Sequence, residues 1–350
     1  MSGLTPNIGL NEAALSAQRA LQHASGADFR EPLRVAVAVI KNAQGQVLIS
    51  FRSKAQHQGG LWEFPGGKLE AAETPLQALI REIKEELDIV VNAASPLITI
   101  NHCYSDLAVQ LLVYQVDDFS GAAKGCQGQA IQWAALSDLP YYAFPEANRP
   151  IITAAQLPPF YALLDDADES LLLTNLEKIL QQGVKLIQAR LKRLPANSVK
   201  TFIDRAGGLC QRYGAALVMN SAVKRPDGLT YNRDDIWVAE RLGLAGIHLT
   251  SADLLARTKR PEGIRWCSAS CHNLPELQHA EKIGVDFAVL APVQATQTHQ
   301  AAQAIGWHQF EHWVASVNMP VYALGGMSKA DLTTARQAGG QGIAAISAFL

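Results

Sequence analysis

The stretch GKLEAAETPLQALIREIKEELDI, Gly67 to Ile89, decides how the first half of the chain must fold. Leu76, Leu79, Ile80, Ile83 and Leu87 recur at i, i+3, i+4 and i+7, so the spacing predicts a helix from about Pro75 to Leu87 with that side against a core. At about 100° per residue, Glu82, Glu85 and Glu86 fall within an arc of roughly 100° on the other side. Like charges at such spacings repel and weaken a helix, and a hard divalent cation supplied with oxygen ligands removes the penalty. An isolated EIKEE would read as a solvated acidic face, but its surroundings argue otherwise. Gly66 and Gly67 fall in a turn just ahead of the helix, where an unhindered backbone carbonyl can join carboxylates on a metal. Arg81 can pair with Glu73 and hold the loop against the helix.

Outward from the helix, LRVAVAVI from Leu33, a turn at Asn42–Gly45 and VLISF read as two strands forming a hairpin. Further strand-like runs cover Leu97–Cys103, Ala108–Val116 and Ala130–Trp133, and a last helix begins near Ala147. After a Pro-containing break at Gln156–Pro159 the text changes to repeated strand and helix. Apolar runs at Tyr161–Leu164, Lys185–Gln188, Ala216–Met219, Gly246–Leu249, Arg265–Ser268, Phe287–Leu290, Val321–Leu324 and Gly342–Ile346 count as eight strands. Helical stretches separate them, the clearest being Asn273–Ile283 and Lys329–Ala338. This predicts a small (β/α)8 barrel whose last strand has no helix after it. The fold class is thus α/β in two domains, 33–156 and 159–350, behind an extension, 1–32, in which Leu10, Ala14, Ala17, Leu21 and Ala24 suit a short amphipathic helix.

With 350 residues, 48% of them hydrophobic, the chain can bury two cores. A formal net charge of −2 argues against a stable nucleic-acid complex, since duplex binding needs a concentrated basic surface. Five scattered cysteines, Cys103, Cys126, Cys210, Cys267 and Cys271, suit reduced, buried thiols. The N-terminal stretch lacks a basic start and a long apolar run, so neither a signal peptide nor a membrane span is expected, and the expected location is the cytoplasm.

The spacing Gly67, five residues, Glu73, seven residues, then Arg81-Glu82-Ile83-Lys84-Glu85-Glu86-Leu87-Asp88-Ile89 resembles the Nudix signature at every position except the last glycine, here Asp88. Asp tolerates the left-handed conformation that a helix-ending glycine supplies. The resemblance implies an α/β/α sandwich and a magnesium- or manganese-dependent hydrolase. Gly66, Glu82, Glu85 and Glu86 would hold the metal, Arg81 and Glu73 would complete the catalytic set, and Glu82 is our choice of general base. Outside the signature, Arg52, His57, the run Glu63-Phe64-Pro65-Gly66 and Phe144-Pro145-Glu146-Ala147-Asn148 resemble the MutT-type 8-oxo-dGTP diphosphatases. In that resemblance these residues bind a purine nucleotide, with Asn148 on the base edge, Phe64 against the ring, and Arg52 and His57 on phosphate or sugar oxygens. The implied products are the monophosphate and pyrophosphate, which keeps the oxidised purine out of DNA. Gln127 stands where the family has an acidic residue, and Leu107 where it has an arginine.

The second half resembles thiamine phosphate synthases and their TenI-like relatives. Gln188-Ala189-Arg190-Leu191-Lys192, Thr296-Gln297-Thr298, Gly325-Gly326 and Ser347 match phosphate-binding positions, and Asp253 matches one magnesium ligand. A thiamine-phosphate-like ligand is implied. The second magnesium Asp is replaced by Ser221 and a phosphate-loop Lys by His299. A degenerate phosphate-binding barrel is therefore expected; the alternatives are a bifunctional thiamine enzyme and a barrel that senses thiamine phosphate and regulates the hydrolase.

Overall fold

β1 (Leu33–Ile40) is the strand around which the first half is built. In the computed structural model, which describes residues 31–53, 59–165, 168–191, 193–224, 243–295 and 303–350, its alternate side chains feed two cores. Ala36, Ala38 and Ile40 face helix α1 (Pro75–Leu87) with Leu79, Ile83 and Leu87, whereas Val37 and Val39 face helix α2 (Arg149–Gln156) with Phe64, Ile151 and Ala155. A strand buried on both faces places helices on either side, giving the α/β/α sandwich.

The expected hairpin does not form. β1 pairs with β4 (Gly66–Lys68) and, in parallel, with β6 (Ala108–Ser120), which in turn pairs with β5 (Val90–Cys103). β2 (Gln46–Phe51) crosses to a second sheet between β3 (Trp62–Glu63) and β7 (Ile131–Ala135), and a single bridge, Lys41 to Val47, joins the two strands at the turn. The turn itself is as read, with Asn42 Oδ1 accepting from the Gln44 and Gln46 N–H groups at 3.0 and 2.9 Å. Both edges of β1 are already taken by β4 and β6, so β2 must find its partners elsewhere.

The eight strands of the second half close into a parallel barrel. They are β8 (Phe160–Asp165), β9 (Leu186–Arg190), β10 (Ala216–Asn220), β11 (Gly246–Leu249), β12 (Trp266–Cys271), β13 (Phe287–Leu290), β14 (Val321–Leu324) and β15 (Gly342–Ala345). Helices among the described residues are α3 (Glu169–Gln181), α4 (Ala196–Arg212), α5 (Ser251–Leu255), α6 (Leu274–Lys282), α7 (Gly306–Val314) and α8 (Leu332–Gln337); none follows β15. Compact units divide at Leu157, except that Glu311–Asn318 group with the first. No described helix is long and apolar enough to cross a membrane.

Residues 1–30, with the predicted amphipathic helix, and His57, Lys192, Thr296, Thr298 and His299 lie outside the described residues. Cys210, Cys267 and Cys271 are buried, but Cys103 and Cys126 are exposed, contrary to the expectation of buried thiols. Cys103 ends β5 and Cys126 sits in the loop before β7, where no core reaches them.

The barrel interior is apolar at one level and polar at the next. Tyr161, Phe287 and Tyr322 pack ring to ring at 5.6–5.7 Å. Next to them, buried Gln188 Nε2 donates to the Tyr161 hydroxyl at 3.0 Å, and Asn220 Nδ2 donates to Gln188 Oε1 at 3.0 Å. His248 meets Ser268 Oγ through Nδ1 at 2.9 Å and Ser270 Oγ through Nε2 at 2.8 Å. Burial, with a contribution from Arg190, pushes His248 down to about 3. Its folded value lies below the unfolded one, so the unfolded chain takes up the proton first and stability falls as pH drops below about 6.5. Between pH 7 and pH 5 the barrel should lose about 2 kcal/mol through this group. Urea denaturation of the full chain should show that pH dependence reduced by about this amount in His248→Asn. An unchanged slope would exclude a neutral buried imidazole.

Candidate active site

α1 starts with a capping box. Thr74 Oγ1 accepts from the Gln77 N–H at 3.3 Å and Gln77 Oε1 accepts from the Thr74 N–H at 2.9 Å, with Pro75 in the first turn. Of the residues expected to anchor the helix, Leu79, Ile83 and Leu87 are buried, but Leu76 and Ile80 are 40% and 41% exposed. On the helical wheel Glu82 and Glu86 adjoin Leu79 on one side and Ile80 lies beyond Leu87 on the other. Turning the carboxylates inward toward the glycine segment therefore rolls Ile80 outward, whereas Leu76, which lies between buried Ile83 and Leu87 on the wheel, is exposed at the start of the helix, in its first turn.

Gly66 and Gly67 form strand β4 rather than a turn, paired with Ala36 and Val37 of β1. A Cβ on Gly66, whose φ is +152°, would meet the Ala36 carbonyl oxygen at 2.1 Å. At Gly67 it would stand 2.0 Å from Cδ of Glu82. Only glycines let the strand lie this close to β1 and leave room above it for the Glu82 carboxylate.

Arg81 organises the acids. Its Nε and Nη2 hold the two Glu73 oxygens at 2.9 Å each, Nη2 also donates to the Lys68 carbonyl at 3.1 Å, and Nη1 donates to Glu82 Oε1 at 2.9 Å. These bonds, Glu73 foremost, raise the guanidinium above its usual range, and Arg81 holds Glu73 below the usual carboxylate range. Glu85 lies 3.4 Å from Arg81 with its side chain 57% exposed, so it stands apart from the other acids. Glu86 is largely buried and accepts from the Gly66 N–H; burial first, then the charges of Glu63 and Glu82, push it up to about 7. Glu63 is itself raised by burial, opposed by its ion pair with Arg52.

As the side chains stand, no three His, Cys, Asp or Glu residues among those described gather closely enough to hold an ion. The chemistry of Glu82, Glu86 and Glu63 nevertheless fits one. The donors are all oxygen, which suits a hard divalent cation, and such an ion would reverse the crowding that disfavours the charged form of Glu86.

Beyond this acidic centre lies an aromatic wall. Phe64, expected to lie against a bound ring, is 3% exposed and stacked on Phe144 at 5.2 Å; it is committed to the core that Ala147 and Ile151 share. Asn148 ends the 3-10 turn Glu146–Asn148. It is 8% exposed. Tyr104, which sequence reading did not single out, packs on the same core, and burial raises its phenol above the usual range. Gln127 and Leu107 bring no charge to this region.

At the C-terminal ends of the barrel strands, Arg190 pairs with Asp165 at 2.6 Å. Asp253, in α5, has Oδ2 occupied by the hydroxyls of Ser221 and Thr250, at 2.5 and 2.7 Å. Gly325 and Gly326 follow β14, and Ser347 follows β15. Gln188, expected at a phosphate-binding position, is instead fully buried between Tyr161 and Asn220, and the interior set that it forms with them and His248 was missed from sequence. Its signal was the polar side chain at alternate positions of otherwise apolar strands, as in Gln188 and Arg190 on β9.

A model of the NUDIX domain matches residues 36–154, and a model of thiamine monophosphate synthase matches residues 160–349. The chain is 35% identical over 120 residues to an 8-oxo-dGTP diphosphatase of Escherichia coli, covering 34% of this chain and 93% of the relative. It is 33% identical over 118 residues to a CTP pyrophosphohydrolase of the same organism, covering 34% and 87%. Its second half is 34% identical over 200 residues to the protein named "Putative thiamine-phosphate synthase 2" of Aquifex aeolicus, covering 56% of this chain and 99% of that one.

Asp88 caps α1 in the left-handed region, φ +55°, with its N–H on the Lys84 carbonyl. Lys124 at 2.7 Å, then Lys84, hold its carboxyl down to about 2. Asp88→Gly loses these exposed ion pairs, which are worth little, and gains a residue at ease at positive φ. Its Tm should stay close to wild type, whereas Asp88→Val, β-branched at positive φ, should melt several degrees lower. Equal melting of the two variants would show that backbone conformation is not what the cap supplies.

Proposed function

Because the chain belongs to the Nudix family over residues 36–154 and to the thiamine monophosphate synthase family over residues 160–349, we propose that its first unit is a divalent-metal pyrophosphohydrolase acting on 8-oxo-dGTP and related oxidised purine triphosphates. Products would be the nucleoside monophosphate and pyrophosphate. The observation that carries the substrate is the place of Asn148, 8% exposed in the turn that follows Phe144, next to the Phe64–Phe144 stack. A side-chain amide that pairs with a base edge rejects a ligand that leaves it unpaired, and an oxidised guanine edge differs from guanine in just such groups.

Glu82 and Glu86, with Glu85 joining from the exposed side, would hold magnesium or manganese near Gly66. When bound, the ion neutralises phosphate oxygens and lowers the pKa of bound water. Arg81 occupies Oε1 of Glu82 and leaves Oε2 to take the proton of the attacking water, our assignment of the general base. Arg52, paired with Glu63 in the absence of substrate, is placed to exchange that partner for a phosphate or sugar oxygen, with His57 nearby in sequence.

A magnesium-dependent screen of 8-oxo-dGTP, dGTP, CTP and thiamine pyrophosphate with product identification tests the reading. Glu82→Gln and Glu86→Gln should each lose a few orders of magnitude in turnover while melting as wild type does. Asn148→Ala should narrow the gap between 8-oxo-dGTP and dGTP. Preference for CTP, or equal hydrolysis of the two purines by the wild type, would sink the assignment.

For the barrel we propose anion binding without synthesis. By the resemblance, Arg190, Lys192, Thr296, Thr298, the Gly325-Gly326 backbone and Ser347 would supply donors where barrels hold phosphate. Ser221 and Thr250 fill the carboxylate oxygen of Asp253 with hydroxyl hydrogens, and Ser221 brings no charge of its own to stabilise a leaving pyrophosphate. Calorimetry with thiamine phosphate should give salt-sensitive, magnesium-insensitive binding that weakens in Arg190→Ala. Mixing the pyrimidine pyrophosphate with the thiazole phosphate should yield no product above background. Robust synthesis, lost in Arg190→Ala, would make the chain bifunctional.

A further inference from the structure

The C-terminal end of α1 carries Glu85, Glu86 and the capping Asp88, with Lys84 as the basic residue of its last turn. Carboxylates placed there face the negative end of the helix dipole, and Glu82 and Glu86, four residues apart, repel each other as well. The last carbonyls of a helix also have no partners within it. The turn that holds Glu86 therefore depends on donors from outside the helix.

The loop between β6 and β7 supplies them. The Lys124 N–H bonds to the Leu87 carbonyl at 3.1 Å, and the Cys126 N–H to the Glu86 carbonyl at 2.9 Å. Gln129 adds a third donor: its Nε2 reaches the same Glu86 carbonyl at 3.1 Å, while its Oε1 accepts from the Gln127 N–H at 2.9 Å. One half-buried side chain thus joins the tip of the loop to the backbone of Glu86. The loop is tightly folded here. A Cβ on Gly125 would meet the Gln129 carbonyl oxygen at 2.1 Å, and the Gly128 N–H closes on the Gly125 carbonyl at 3.3 Å.

We propose that Gln129 is a positioning residue of the metal helix, whose amide fastens the loop 124–129 to the Glu86 carbonyl and so holds the Glu86 carboxylate where a divalent cation takes it up. The inference rests on the metal-dependent hydrolase reading above. Gln129 acts through the backbone of the helix and needs no contact with cation or nucleotide. A ligand held in place before the ion arrives binds it more tightly than one that must be ordered on binding. Loss of the amide therefore weakens the ion and leaves the chemistry intact once the ion is bound.

Gln129→Met in the full chain keeps the length of the side chain and removes both of its bonds. Manganese binding to the nucleotide-free protein, followed by the spin resonance of the free ion, should weaken about tenfold. The magnesium concentration for half-maximal hydrolysis should rise by about the same factor, with kcat at saturating magnesium and KM for the nucleotide within about twofold of wild type. Lys124→Ala, which removes only the exposed ion pair of the same loop with Asp88, should bind manganese within about twofold of wild type. Gln129→Glu keeps the acceptor for the Gln127 N–H and loses only the donor, so it covers the case in which Gln129→Met melts well below wild type. It should also bind manganese more weakly, although its added charge alone would attract the ion. Manganese binding by Gln129→Glu that equals or exceeds wild type, or a loss of turnover that saturating magnesium does not restore, overturns the role of Gln129 and leaves the hydrolase assignment standing. A wild-type protein that neither binds manganese nor hydrolyses nucleotides with magnesium overturns the hydrolase reading and this inference with it.

Discussion

The Arg81 guanidinium is the constraint on which the first unit depends. It bonds at once to both oxygens of Glu73, to one of Glu82 and to the Lys68 carbonyl, so the chain before α1, the helix itself and the strand β4 are tied through one planar fork. Lysine could not supply this set of directions. Because the fork occupies only one oxygen of Glu82, it fixes that carboxylate above Gly67 and leaves the other oxygen open. The glycines complete the constraint from below, since any side chain at Gly67 would take the space of the carboxylate.

Glu86 gains its character from the same arrangement. Holding Glu82 in place and pairing Glu63 with Arg52 leaves Glu86 among two acids and a low-polarity core, with the Gly66 N–H as a favourable contact. A protein that needed only a stable fold would have little reason to bury a carboxylate among carboxylates, since the charge opposes folding unless a cation joins it. The barrel takes the opposite course. Asp253 there is satisfied by two hydroxyl donors and Arg190 by Asp165, so its carboxylates are stable without an ion.

Much of this was legible in the chain. Period-3.6 apolar spacing and the acid spacing locate α1 at Pro75–Leu87, and the repeated apolar runs locate the eight barrel strands, because a strand buried on both faces must be apolar almost throughout. The bonds from Arg81 to Glu73 follow from a spacing that the local turn can close. Partners set by distance in space were not legible. β1 and β2 read as a hairpin because they are neighbours in sequence, but β4 and β6 compete for the edges of β1 and win.

The sequence by itself determined which residue types lie on which side of each helix and strand, and so the two folds and the acidic character of the site. Only the tertiary structure decided which of those acids are crowded and which are exposed. Glu85 and Glu86 are adjacent in sequence and chemically alike, yet one points to solvent and the other is buried against Gly66 and Glu63. The same holds for Phe64, drawn into the core by Phe144. Periodicity reports how a residue faces its own element; burial, charge and hydrogen bonding depend on which other elements arrive, and that is settled by packing.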